Sequence, residues 1–199
     1  MAAAHAAPHS PMRGRPDGGS REEGIMKILI VFDTKHGTTL KVATRIADAL
    51  KAKGTEAELR DLRAKGAAAA SLAGYDAVVL GGPFYMGMWS KRARAFAAGR
   101  ETELAAAGLA LFAIGSNAEL GDKAAKAALP GTLASGISLS AYFGGSLDYD
   151  ALGPLERFIV KKVSGKAESS STLDLAAVDA FAVSLASAKS AKAVKGGAK

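Results

Sequence analysis

The chain has 199 residues, 49% hydrophobic and 23% charged, with a formal net charge of +7 at pH 7, a length that supports one well-buried core with tails and argues against two full domains. It contains no cysteine, which excludes disulfides, thiolate metal sites and cysteine nucleophiles, and its histidines are His5, His9 and His36, two of them near the start, so no multi-histidine metal site is expected. Every apolar run ends well short of the roughly 20 residues a membrane span needs, and the chain reads as a soluble, cytoplasmic protein.

Residues 1–25 are rich in Ala, Pro and Gly, carry charges where a signal peptide would be apolar, and show no periodic pattern. They read as a disordered extension, with Met26 as an alternative native first residue. The charge divides as 0 for residues 1–25, +3 for 26–188 and +4 for 189–199. More than half of the excess therefore sits in a basic C-terminal tail, read as a solvated, disordered terminus.

The apolar run Ile28–Phe32 predicts a buried strand. In the following stretch Ala43, Ile46, Ala47 and Leu50 recur at helical spacing, with Lys41, Arg45, Asp48 and Lys51 elsewhere on the wheel, which predicts an amphipathic helix from Thr38 to Lys53. Gly54 stops it. Glu56–Leu62 alternates polar and apolar, as a half-exposed edge strand does, and Ala64–Leu72 reads as a short helix. Tyr75–Leu80 is a second apolar strand that opens into the glycine-rich aromatic stretch of residues 81–89, followed by a helix from Ser90 to Ala106. Leu109–Ile114 is a third apolar strand, running into the small polar loop of residues 115–121. Ala124–Leu129 reads as helix up to Pro130, Ile137–Phe143 as the last strand, residues 144–154 as an irregular excursion, and Leu155–Val163 and Leu173–Ala188 as two helices.

Five strands alternating with helices predict an α/β domain over residues 26–188. Buried strands joined by helical crossovers of about 10 to 15 residues specify a doubly wound parallel sheet with helices on both faces. In a 2-1-3-4-5 order, the loops of residues 33–39, 81–89 and 115–121 follow neighbouring strands. All three then converge at the carboxyl edge, where such sheets bind ligands.

The loop of residues 33–39 joins a strand to a helix with small, hydroxyl-bearing residues, placing backbone N–H groups and the helix dipole where an anion can collect them. A Walker loop or a dinucleotide fingerprint needs more glycines than the single Gly37 present, and a receiver-type phosphoacceptor site would need more acid than Asp33 alone. A loop for one terminal phosphate remains. Plain helix capping is the alternative, and His36 is read as a backbone donor with a charge-assisted contact or as a capping residue.

Thr34-Lys35-His36-Gly37-Thr38-Thr39 resembles the Thr/Ser-x-Thr-Gly-x-Thr phosphate loop of flavodoxins, with His36 where a Thr is usual. The resemblance implies a flavodoxin-like fold and an FMN cofactor. It places the phosphate on Thr34, Lys35, His36, Gly37, Thr38 and Thr39, and the ring between Pro83, Phe84, Tyr85, Met86, Gly87 and Trp89 on one side and Gly115, Ser116, Asn117 and Gly121 on the other. An aromatic cluster in a glycine-rich loop suits a planar ring better than a core, and Tyr85 is favoured over Trp89 for that contact. Leu139–Gly145, Leu147–Tyr149 and Glu156–Gly165 resemble the branch of the family that includes menaquinone-dependent protoporphyrinogen dehydrogenase. The excursion departs from that branch at Asp148, Asp150 and a Gly-Pro pair.

The resemblance implies an FMN-dependent oxidoreductase with no catalytic acid or base of its own and no metal. The resemblance to the protoporphyrinogen dehydrogenase branch implies protoporphyrinogen IX and a quinone acceptor as its specific partners. The alternatives are a flavodoxin-type electron carrier serving a redox protein partner, which the basic core disfavours, and a flavodoxin-like protein that has lost FMN. Arg157, Lys161 and Lys162, interleaved with Phe158, Ile159 and Val163, form a helix read either as packing on the sheet or as touching a membrane surface. No nucleic-acid partner is expected.

Overall fold

The computed structural model describes residues 25–85, 87–115, 125–147, 153–154, 157–158, 161–162 and 169–196. β1 (Lys27–Phe32) leads into α1 (Thr38–Lys51), β2 (Glu56–Asp61) and β3 (Ala77–Tyr85), and a two-residue β4 (Met88–Trp89) folds back on β3. Next come α2 (Lys91–Gly99), α3 (Glu101–Ala107), β5 (Leu109–Ile114), α4 (Gly131–Gly136) and β6 (Ile137–Tyr142). β7 (Ser146–Leu147), β8 (Ser170–Ser171) and α5 (Leu175–Gly196) complete the described chain. The parallel strands run in the order β2-β1-β3-β5-β6, with β4 attached to β3 outside that path. This is the 2-1-3-4-5 order expected, with β4 and the small β7-β8 pair added.

The alternation of side chains along a strand explains why the central strands are apolar throughout. In β1, Leu29 and Val31 enter one core while Ile28, Ile30 and Phe32 enter the other, and β3 and β5 divide in the same way. The first core is roofed by Ala93, Phe96 and Ala97 of α2 with Leu104 of α3; the second is roofed by Val42, Ile46 and Leu50 of α1 and Val178, Phe181 and Leu185 of α5. Each large aliphatic side chain so buried contributes about 1.5–3 kcal/mol. Phe112, Phe143 and Phe181 run through this second layer, the first pair tilted and the second edge-to-face, with centroids 6.0 and 5.4 Å apart.

Several expectations change. Residues 62–70 form turns rather than a helix, because Gly66 adopts φ 79° and diverts the chain. The helix expected from Ser90 to Ala106 is two helices, broken at Gly99–Arg100, where Arg100 leaves helical geometry at φ −131°. Residues 81–85, read as loop, continue β3 because they pair in register with β5, from Gly81 opposite Phe112 to Pro83 opposite Ile114. Gly81 is required there, since a Cβ would lie 2.0 Å from Phe112 Cζ. The last helix begins at Leu175 and extends past Ala188 to Gly196. Of the helix expected over Leu155–Val163, residues 157–158 and 161–162 are described and are helical. Among the described residues, no helix is long and apolar enough to cross a membrane.

Candidate functional site

At the carboxyl end of β1 the chain turns sharply before α1. Gly37 sits at φ 83°, a left-handed value that suits glycine, and its N–H donates to Thr34 Oγ1 at 3.1 Å, closing the turn. Gly37 is also the N-cap of α1. Having no side chain, it leaves the first-turn N–H groups of Thr38, Thr39 and Leu40 without a side-chain cap. Thr39 is only 2% exposed, yet its hydroxyl has no hydrogen-bond partner among the described residues. The Thr39 hydroxyl and the uncapped N–H groups at the positive end of a 14-residue helix form a donor set suited to a phosphate. Lys35 and His36 are exposed on the outer rim of the turn. The Thr38 hydroxyl is committed elsewhere, donating to the carbonyl of Ser146 at 3.2 Å.

Beside this turn stands the β3-β4 hairpin, bent at Gly87 (φ 77°). Phe84 lies opposite Trp89 and Tyr85 opposite Met88, so each pair shares a face. Phe84 and Trp89 are buried in the core with Val78, Leu80 and Ala93, whereas Tyr85 and Met88 are 57% and 61% exposed. The aromatic cluster expected to cover a planar ring is thus divided. Trp89 packs from behind, donating its indole N–H to the Gly82 carbonyl at 3.2 Å, and Tyr85 presents its ring outward. A Cβ on Gly82 would meet Ser90 Cβ at 2.8 Å, which keeps Gly82 a glycine beneath the hairpin. Pro83, next to it, is half-buried.

The third strand end is tightly packed. Gly115 donates to the Gly144 carbonyl at 2.9 Å, and a side chain on it would strike the Phe84 carbonyl at 2.9 Å and the Tyr142 hydroxyl at 3.3 Å. Met86, Ser116, Asn117 and Gly121 lie outside the described residues. So does the middle of the excursion at residues 148–152.

Two features of the site escape a reading of local sequence. The first is the stem of the excursion. Ser146–Leu147 and Ser170–Ser171 pair as β7 and β8, and next to them Thr172 N–H donates to the Gly145 carbonyl (2.8 Å) and Gly145 N–H to Thr172 Oγ1 (3.2 Å). Through Thr38 and Ser146 this stem abuts the start of α1. The second is a buried carboxylate. Asp33 is 5% exposed, its Oδ2 accepts from Ser90 Oγ at 2.6 Å, and Arg63 Nε stands 2.8 Å from its Oδ1. Ser90 in turn caps α2 by accepting the Ala93 N–H at 3.2 Å.

A family model described as a flavodoxin domain matches residues 29–174, from within β1 to the residue before α5. This chain belongs to the flavodoxin domain family. Among curated proteins none matches it. Among solved structures it is similar to the rubredoxin oxygen:oxidoreductase of the anaerobe Desulfovibrio gigas, with 16% identity and a TM-score of 0.53 over 83% of this chain and 36% of that one. It thus spans about a third of the oxidoreductase's length. A short-chain flavodoxin associated with a non-canonical PDU bacterial microcompartment shares 16% identity at a TM-score of 0.50, over 81% of this chain and 99% of its own. Flavodoxin 2 from Bacillus cereus is 28% identical, with a TM-score of 0.49, over 59% of this chain and 84% of its own. In this flavodoxin domain the 33–39 turn, the β3-β4 hairpin and the end of β5 are the three strand ends brought together at the carboxyl edge.

Proposed function

We propose that this flavodoxin domain is an FMN-dependent oxidoreductase. The observation that carries the reading is the start of α1: first-turn N–H groups with no side-chain cap behind the left-handed Gly37, beside Thr39, in a turn that resembles the flavodoxin phosphate loop. Helix N–H groups left without a side-chain cap are a ready site for an anion.

When bound, FMN supplies a ring that accepts electrons or hydride. The chain's own residues bind and orient it. Thr39 and the N–H groups of Thr38, Thr39 and Leu40 would hold the phosphate, while Gly37 keeps the turn open by carrying no side chain. Tyr85, exposed on the hairpin whose other face is anchored by the buried Phe84 and Trp89, would supply a ring contact. Gly115 lets the end of β5 approach closely, and the β7-β8 stem walls the side nearest Ser146. The exposed Tyr85 and Met88 would be the side chains a substrate meets at this edge.

Protoporphyrinogen IX with a quinone acceptor is the first substrate pair to assay, on the likeness of residues 139–149 and 156–165 to that branch of the family. The test is oxidation of protoporphyrinogen by FMN-loaded protein with menaquinone or a soluble quinone. Quinone-dependent turnover supports the specific pair. A loaded protein inert toward every quinone and low-molecular-weight reductant, but competent to pass electrons to a redox protein, would replace the enzyme reading with an electron carrier.

A further inference from the structure

An acidic side chain directly before a phosphate-binding turn opposes the binding of a dianion. Asp33 occupies that position, buried, and is not left alone. Leu62 N–H donates to the Phe32 carbonyl at 2.8 Å, which sets the chain after β2 beside the end of β1, and the next residue, Arg63, lays its Nε 2.8 Å from Asp33 Oδ1. Arg63 is anchored by its own N–H on Asp61 Oδ1 at 2.9 Å. Its side chain is partly exposed, and its two terminal nitrogens make no hydrogen bond among the described residues. The second carboxylate oxygen takes the Ser90 hydroxyl, joining the turn to the residue that ends the β3-β4 hairpin. Burying a charge requires such pairing. A neutral side chain able to accept from Ser90, as Asn is, would tie the hairpin without needing Arg63, so the ion pair invites an explanation beyond packing.

We propose that Asp33 and Arg63 are a positioning pair for the anion site. Asp33 ties the β1-α1 turn to the hairpin through Ser90, and Arg63 cancels the carboxylate's charge so that a dianionic phosphate can sit beside it. The proposal rests on the FMN reading, and its prediction is selective. Removing Arg63 penalises a flavin that carries a phosphate and spares one that does not, because the ring contacts are untouched.

The test compares FMN with riboflavin, which lacks the phosphate, by fluorescence titration of the full chain. Arg63→Gln is expected to weaken FMN about tenfold or more, from one uncompensated charge acting on a nearby dianion, with riboflavin affinity changed less than about threefold. Asp33→Asn, which keeps an acceptor for Ser90 and frees the Arg63 cation, is expected to bind FMN at least as tightly as the parent. The Asp33→Asn/Arg63→Gln double variant is expected to return to within about threefold of the parent. It also keeps the test open should Arg63→Gln fold poorly, since it buries no charge. Equal losses of FMN and riboflavin in Arg63→Gln, or a double variant no better than Arg63→Gln, would reduce the pair to a structural contact and overturn the proposal. A parent that binds FMN no better than riboflavin would instead overturn the phosphate-site reading beneath it.

Discussion

Replacing Thr39 by Val separates what the fold needs from what a ligand needs. Valine keeps the β-branched shape and nearly the volume, so the packing of a side chain that is 2% exposed is preserved while one hydroxyl is lost. In the ligand-free protein that hydroxyl has no partner among the described residues. Its removal therefore breaks no hydrogen bond of the ligand-free protein, and the unfolding free energy should stay within about 1 kcal/mol of the parent. With phosphate present the loss is felt, because a charge-assisted hydrogen bond is worth about 1.5–3 kcal/mol, which corresponds to FMN binding weakened by roughly 10- to 150-fold. Urea unfolding without flavin and a flavin fluorescence titration read the two effects separately. A variant destabilised by more than about 1 kcal/mol without flavin would show that Thr39 serves the fold. Unchanged FMN affinity would show that the hydroxyl does not face the phosphate.

Gly81→Ala should destabilise by about 3 kcal/mol, because its Cβ would lie 2.0 Å from Phe112 Cζ, and adding Phe112→Val should recover part of the loss; thermal melts of the two variants check this. Trp89→Phe, which loses the bond to the Gly82 carbonyl, should cost about 1–3 kcal/mol of stability. Tyr85→Ala should stay within about 0.5 kcal/mol of the parent yet change the fluorescence of bound flavin. On the far edge of the sheet, the Tyr75 hydroxyl donates to Glu58, and with Arg60 alongside it holds the Glu58 carboxyl below the usual range. A depressed folded value means stability that is present above the unfolded value and lost as pH falls through the folded one. The stability gap between the parent and Glu58→Gln should therefore shrink as pH drops below the ordinary carboxylate range; denaturant unfolding at a series of pH values would show otherwise if the gap stayed constant.

The sheet was legible because its signals are local. Ile28–Phe32 and Leu109–Ile114 are apolar at every position, as strands covered on both faces must be, and Ala43, Ile46, Ala47 and Leu50 mark the inner face of α1. The extension of β3 was not legible, because Gly81 and Gly82 carry loop chemistry; their strand conformation comes from pairing with β5 and from the Phe112 ring that fills the space above Gly81. The alanines of residues 64–70 suggest a helix, but Gly66 at φ 79° turns the chain instead. In the site, the turn before α1 could be read from Thr34 to Thr39. The division of the hairpin's aromatics could not, since it follows from the β3-β4 register that puts Phe84 and Trp89 on one face and Tyr85 and Met88 on the other. Asp33, Arg63 and Ser90 meet only because β1, β2 and the hairpin are neighbours in the folded sheet; no spacing along the chain announces it.

The most direct test of the account is a competition among three ligands at the β1-α1 turn: FMN, riboflavin and inorganic phosphate, titrated into the flavin-free chain. FMN is expected to bind with its fluorescence quenched, riboflavin to bind more weakly by about tenfold or more, and added phosphate to displace FMN by occupying the turn. Equal affinity for FMN and riboflavin, or no binding of either, would contradict it.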